Sequence, residues 1–405
     1  MTSPEALGPL AGITVIELGS MYAAPTSGRM LRDFGADVVK VEDPSGGDFA
    51  RNWLPQKNGQ SLGFARINAG KRSIGIDLRT SDGQDLVRRL AVGADVVVES
   101  FRPGRLAEWG LGYDQLSALN PAIVLTSVSG FGQTGPYRGL PGFGTIAETL
   151  SGYAFVNGWP DKPPTSPPFG FADSIAGLAA AYGTVMKLFE RTSTGRGGHV
   201  DVALYEPLMF ILGDLVLRYT ANGDIPQREG NTTGAASPRG IYQAADGGWL
   251  AIAASSQRIA ERLFVAMGRP EMNDDPRFRT NADRLANNDE VQRRVTDWIS
   301  SMPRDEALGV LERHEVVAAA VNDAKDICED EHFLERTLVE LTTEGLGRVL
   351  MPGPVLHVDG YPGPSYDDVP AIGEHTFDVL GERLSLTKPE LDALAEKSVI
   401  SGPME

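Results

Sequence analysis

Asp173 is the lone acid of GFADSIAG (170–177), which runs directly into the apolar segment LAAAYGTVMKLFERT. A carboxylate in that place has two jobs open to it. As an N-cap it accepts backbone N–H groups at a helix start, where Asp is among the preferred residues. As a nucleophile it attacks an activated acyl carbonyl. The spacing predicts a helix over 174–191, so local grounds favour the cap. The two jobs are compatible, because a helix N-terminus favours an ionised carboxylate.

Other reactive side chains are thinly supplied. The His residues are His199, His314, His332, His357 and His375, and no H-x-x-x-H or H-E-x-x-H pair occurs among them. Each reads as structural or superficial, which leaves a Ser-His-Asp or metal-hydrolase reading little to stand on. Cys328 is the sole cysteine, excluding an intramolecular disulfide or a multi-Cys metal site. The stretch ELGSMYAAPTSG lacks G-x-G-x-x-G, and the chain has neither a phosphate-loop motif nor G-x-S-x-G. Basic residues recur at predicted strand ends, in NAGKRSIGIDLR (68–79), in ESFRPG (99–104) and from Lys40 to Arg51. They read either as solvated charges or as a setting for a phosphate-bearing ligand. The net charge of −17 argues against nucleic acid or an anionic membrane as partner. With no apolar run of roughly 18 residues and no signal-peptide pattern, a cytoplasmic enzyme is expected.

The elements that must position these residues alternate. ITVIEL (13–18), ADVVKVE (36–42), RSIGIDL (72–78), DVVVES (95–100) and AIVLTSVS (122–129) read as strands with helical segments between them. Ser81 and Gln84 are spaced as a capping box, as are Thr387 and Glu390. Such alternation predicts an α/β fold with a doubly wound, mostly parallel sheet, whose ligands lie beyond the strand carboxyl ends. From about 225 to 325 the texture changes to a hairpin (IYQAADGGWLAIAA) and charged helices. The expected division is a large domain over 1–220, a smaller α+β domain over 225–325, and a return to the large domain over 330–405.

Together the segments LAGITVIELGSMYAAP, LRDFGADVVKVEDPSGGDFAR, NAGKRSIGIDL, ADVVVESFRPG, SVSGFGQTGPY, FADSIAG, RTSTGRGGHVDVALYEP, DDPRFRTNADRLANNDEV and GEHTFDVL resemble the class III CoA-transferase family over essentially the whole chain. The resemblance implies a Rossmann-like large domain and an interlocked homodimer. It also implies transfer of CoA from an acyl-CoA to a carboxylic acid, with CoA thioesters as substrates and no permanently bound cofactor or metal. In that family the Asp of a D-x-x-x-G segment is the nucleophile, here Asp173 with Gly177. CoA contacts carried over by position fall on Ser20, Met21, Tyr22, Ala23, Ile76, Arg79, Ser100 and Phe101. Arg79 and Arg102 are the leading phosphate candidates, with Lys71 and Arg72 behind them. Asp43 occupies an often basic position and would repel a phosphate, so it is set aside.

The family's α-methylacyl-CoA racemases carry a His-Asp pair where this chain has Phe143 and Gly144, and no His precedes His199. Transfer is therefore favoured over racemisation, and over a non-catalytic CoA-binding role. Gly144 is read as enlarging an acyl pocket. Phe143, Tyr153, Phe155 and Trp159 hint at an apolar acyl group. A covering loop is expected at 232–240 or 253–257.

Overall fold

The computed structural model describes residues 8–402. The chain forms two compact units, the first within Met1–Tyr153, Pro167–Gly213 and Glu331–Glu405. It is built on β1 (Thr14–Leu18), β2 (Asp37–Glu42), β3 (Arg72–Ile76), β4 (Val96–Glu99), β5 (Val124–Ser129) and β6 (Gly198–Ala203). These lie parallel in the order β3-β2-β1-β4-β5-β6, and Ile400–Ser401 pairs antiparallel on the β3 edge. The fold is α/β with a parallel central sheet, as expected.

Every residue of β1, β4 and β5 is buried, as a parallel sheet covered on both faces requires. Alternation sorts the side chains. Val15, Val38, Val96 and Val124 pack beneath α1 (Ala23–Arg32), against Ala24 and Leu31. Ile16, Val39, Ile74 and Val97 pack on the other face against Leu86, Val87 and Leu90 of α2 (Ser81–Val92). The chain leaves β1 toward β2 and β3, then returns to β4 on the opposite side. The switch point, and with it the ligand crevice, lies at the carboxyl ends of β1 and β4.

Two further helices bear on that crevice, α3 (Gly144–Leu150) and the long α4 (Phe171–Thr194). At 24 residues, α4 is about 36 Å long. Its Gly177 lies against α1, where a Cβ would come within 2.7 Å of Thr26 Cβ and 2.8 Å of the Ala23 carbonyl oxygen. The absent side chain lets the start of α1 sit one helical turn from Asp173.

Helix starts differ from the sequence expectation. α4 begins at Phe171 with Gly170 as N-cap, so Asp173 is its third residue rather than its cap. α2 is capped by Thr80, whose hydroxyl accepts the Gly83 N–H at 3.0 Å, while the Gln84 amide donates to the Leu78 carbonyl at 2.9 Å. The Ser81–Gln84 box does not form. At Lys388–Glu396 the Glu390 carboxylate does accept from the Thr387 N–H (2.8 Å) and hydroxyl (2.7 Å).

The second unit comprises Ala154–Ser166 and Asp214–Asp330. It thus takes in a stretch that the sequence reading left with the large domain, and it starts before 225. Its hairpin β7 (Arg239–Gln243) and β8 (Trp249–Ala253) pairs on to β9 (Ala318–Ala320). Leu250 and Ile252 pack there against Leu263, Phe264, Val295 and Leu311 from the surrounding helices. Among the described residues no helix is long and apolar enough to cross a membrane.

The outward side of α4 is apolar at Leu178, Tyr182, Val185, Met186 and Phe189, a helical stripe (i, i+4, i+7, i+8, i+11) open to solvent. Tyr182 is 70% exposed, Phe189 78%, and Phe210, a little further on in the same unit, 87%.

Candidate active site

A cavity of about 560 Å³ opens at the carboxyl ends of β1 and β4, and Asp173 lines it. α4 delivers Asp173 from its first turn, and α3 supplies the opposing surface. The Asp173 carboxylate lies so close to the Gly144 Cα that a side chain there would collide with Oδ2. The small residue at 144 provides that contact, and Gly144 also lines the cavity. Burial pushes the Asp173 carboxyl up to about 6, and the nearby Glu148 carboxylate adds to the rise. The helix terminus does not lower the Asp173 carboxyl, contrary to the expectation from a capping role. Removal from water outweighs the single hydrogen bond from its own N–H.

The turn between β1 and α1 forms one wall. Met21 has φ of 70°, a left-handed conformation that costs a non-glycine residue about 1–3 kcal/mol. Its N–H donates to both carboxylate oxygens of Asp48, at 2.9 and 3.2 Å. Behind Asp48 is a buried ionic chain. Lys40 Nζ donates to Asp48 Oδ2 (2.8 Å), Glu17 Oε1 (3.0 Å) and the Gly19 carbonyl (2.9 Å). Lys71 Nζ donates to Glu17 Oε2, the Pro25 carbonyl and Asn68 Oδ1, each at 2.8 Å. Both ammonium groups therefore spend all three of their N–H bonds inside the protein. Burial works against the Lys40 charge, but Glu17 and Asp48 outweigh it and raise its pKa. For Lys71 burial prevails and lowers it to about 8.

The turn after β4 forms a second wall. The Phe101 N–H donates to Glu99 Oε2 at 2.7 Å, fixing Ser100, Phe101 and Arg102. Burial lifts the Glu99 carboxyl to about 7, against the pull of Ser127 and of that N–H.

The structure brings Ser20, Met21, Tyr22, Ala23, Ser100, Phe101 and Arg102 into the same cavity as Asp173. An adjoining cavity of about 220 Å³ is lined by Ile76, Leu78, Arg79 and Trp109, and it shares Ser20 and Phe101 with the first. Arg79 is engaged by Asp77 at 2.7 Å and by Asp43 at 3.4 Å. Several basic candidates are otherwise employed. Lys40 and Lys71 are the buried pair above, Arg51 is bound to Glu42 at 2.6 Å, and Arg72 is bound to Asp37 and Glu382. Arg102 lines the main cavity without an ion pair among the described residues.

Sequence reasoning missed Arg138, which also lines that cavity without an ion pair, and it missed Glu148 and Asp48. Arg138 directly follows the segment SVSGFGQTGPY (127–137), so its signal was a cation next to a Gly-rich loop. Of the four aromatic residues read as an apolar pocket, Phe143 lines the cavity. Tyr153 packs on Phe171 with ring centroids 5.2 Å apart, and Phe155 and Trp159 belong to the second unit beside Arg228. The loops 232–240 and 253–257 also lie in the second unit.

No His lines the cavity among the described residues. His199 instead shares a 2.9 Å hydrogen bond with the Ser127 hydroxyl. Asp368, Glu374 and His375 place ligand-type atoms within 4.8 Å of one another, but His375 Nδ1 accepts the Ser73 N–H at 3.3 Å.

The cavity thus presents a half-buried carboxylate beside a first turn of α1 that no side chain caps. The sequence matches CoA-transferase family III over residues 10–376. It is 38% identical to a succinyl-CoA–D-citramalate CoA-transferase of Chloroflexus aurantiacus, covering 99% of this chain and 100% of that one. It is 36% identical to a succinate–glutarate CoA-transferase of Agrobacterium fabrum, covering 94% and 96%. A CAIB/BAIF family protein from Brucella suis superposes with a TM-score of 0.82 at 33% identity, covering 93% of this chain and 100% of that one. The chain belongs to CoA-transferase family III and is an enzyme of that class.

Proposed function

We propose that the protein moves CoA from an acyl-CoA to a dicarboxylic acid, with Asp173 as the nucleophile. The observation that carries this is the placement of Asp173 against Gly144 in a cavity walled by the β1–α1 and β4 turns. An Asp173 oxygen attacks the thioester carbonyl, the C–S bond breaks, and a mixed anhydride and CoA thiolate result. The thiolate attacks the Asp173 carbonyl carbon, giving an aspartyl-CoA thioester and releasing the donor acid. The acceptor carboxylate attacks that thioester and regenerates anhydride and thiolate. The thiolate then takes the new acyl group, leaving Asp173 as a carboxylate. Each step exchanges one acyl bond for another, so no net oxidation or hydrolysis is involved.

In this reading CoA lies along both cavities. Its base sits among Ile76, Leu78, Phe101 and Trp109, and its thioester end lies beside Met21, Tyr22 and Asp173. Arg102, adjacent to the shared Phe101, faces the phosphates. Arg138 pairs with the free carboxylate of the acid, and the dicarboxylate names of the two relatives support that choice over an apolar acyl group. The apolar stripe on α4 suits a second copy of the chain, making the protein a homodimer.

The test is a transfer assay with succinyl-CoA against C4–C5 dicarboxylic and C4–C6 monocarboxylic acceptors. Dicarboxylates are expected to be preferred. Arg138→Met should raise their KM by about 10–100-fold while leaving the KM for monocarboxylate acceptors in place. Equal use of monocarboxylates would refute the substrate class, and an unchanged acceptor KM in that variant would refute Arg138 as the partner of the free carboxylate.

A further inference from the structure

The first turn of α4 is capped from a different helix. Gly170 has no side chain to offer. The Phe171 N–H turns back to the Phe169 carbonyl at 2.7 Å, and the Asp173 N–H is taken by its own carboxylate. The remaining Ala172 N–H donates to Glu148 Oε1 at 3.4 Å. Glu148 projects from α3 one turn after Gly144, is 2% exposed, and has no cation partner among the described residues. It does not line the cavity and takes no part in the transfer steps. A buried carboxylate without a cation is costly unless its hydrogen bonds and surroundings are put to use.

We propose that Glu148 is a positioning residue for Asp173, capping α4 in trans so that α3 fixes both the helix turn carrying Asp173 and the Gly144 surface on which its carboxylate lies. The inference rests on Asp173 being the nucleophile. Glu148 also places a second negative charge at the same helix junction. Burial and this charge act in one direction, raising the Asp173 carboxyl to about 6. A more basic carboxylate is the stronger nucleophile toward a thioester, provided it is ionised at the working pH.

The other ionisable groups around Asp173 do not take this part. Tyr22 lies against Gly170 from the β1–α1 turn. Tyr153, just after α3, has its own hydroxyl pushed up by burial and by Glu148. Arg102 and Arg138 stand on the cavity wall without an ion pair to Asp173. Glu206, in the helix Glu206–Ile211 beside α4, accepts the Ala203 N–H at 3.4 Å.

The test compares the full-length wild type with Glu148→Gln and Glu148→Ala. Gln keeps an acceptor for the Ala172 N–H and removes the charge, whereas Ala removes both. The readouts are kcat and KM across pH and a carbon-detected NMR titration of the Asp173 carboxyl, assigned with Asp173→Asn. In Glu148→Gln the Asp173 titration and the acid limb of kcat/KM should both move down by about one pH unit, with kcat at pH 8 lowered only about two- to three-fold by the weaker basicity. In Glu148→Ala kcat should fall by about ten-fold or more at unchanged KM for acyl-CoA, and Gln should restore most of it. A wild-type titration curve in Glu148→Gln, or wild-type kcat in Glu148→Ala, would overturn the proposal. If Glu148→Ala does not fold, the Glu148→Gln titration decides alone. Because the titration needs no turnover, it separates this proposal from the nucleophile assignment, which an active Asp173→Asn would remove.

Discussion

Asp173 is protonated below about pH 6 in the fold, against an ordinary Asp value of about 3.9 in the unfolded chain. As the proposed nucleophile the group has to be ionised to attack, so kcat/KM should fall with an acid limb near pH 6, measurable in a buffered pH series. The same shift has a stability consequence. Between the two values the folded state holds the proton that the unfolded state has lost, so stability declines as pH rises through that window. Asp173→Asn should therefore be more stable than wild type at pH 7.5 by about 1–2 kcal/mol, after allowance for its partial exposure, and equal to it at pH 4. Chemical denaturation at the two pH values checks this, and a destabilised variant at pH 7.5 would contradict it. The sequence exposed Asp173 as an isolated acid but misjudged its electrostatics. Its distance from the helix start was one turn off, and Glu148 lies 25 residues away, with nothing local in the chain to link the two.

At the scale of elements, the site depends on how the β1–α1 turn is held. Met21 keeps its left-handed conformation because Asp48 binds its N–H, and Asp48 is itself fixed by Lys40. Asp48→Ala should release the turn, raising the KM for acyl-CoA about ten-fold. It should also lower stability by about 3–5 kcal/mol, because a buried ammonium loses a partner. Steady-state kinetics with urea unfolding would show both, and an unchanged KM would mean that the turn is held by other contacts. The strands were legible because Val- and Ile-rich runs between helical segments signal a buried parallel sheet. The caps at Thr80 and Gly170 were not, since several neighbouring residues have suitable types and the backbone turn selects among them. The lysines misled for a related reason. In sequence Lys40 and Lys71 look like free cations at strand ends, and their carboxylate Glu17 is 23 and 54 residues distant.

For the molecule as a whole, alternating strands and helices conveyed the doubly wound sheet and the crevice at its switch point. They did not convey that residues 154–166 join the second unit, because that grouping is made by tertiary contacts such as the Arg228 bonds to the Phe155 and Trp159 carbonyls. The exposed stripe of α4 predicts a homodimer in light scattering coupled to size exclusion. Tyr182→Glu with Phe189→Glu should shift it toward monomer, and a monomeric wild type would rule out the second copy as its cover.

Asp173 as the proposed nucleophile requires a covalent adduct on its carboxylate. Enzyme mixed with acyl-CoA, quenched in acid and digested should yield the peptide containing residues 170–177 with CoA attached at Asp173, seen by mass spectrometry and absent from Asp173→Asn. Transfer at the wild-type rate by Asp173→Asn, or an adduct located on another carboxylate, would contradict it.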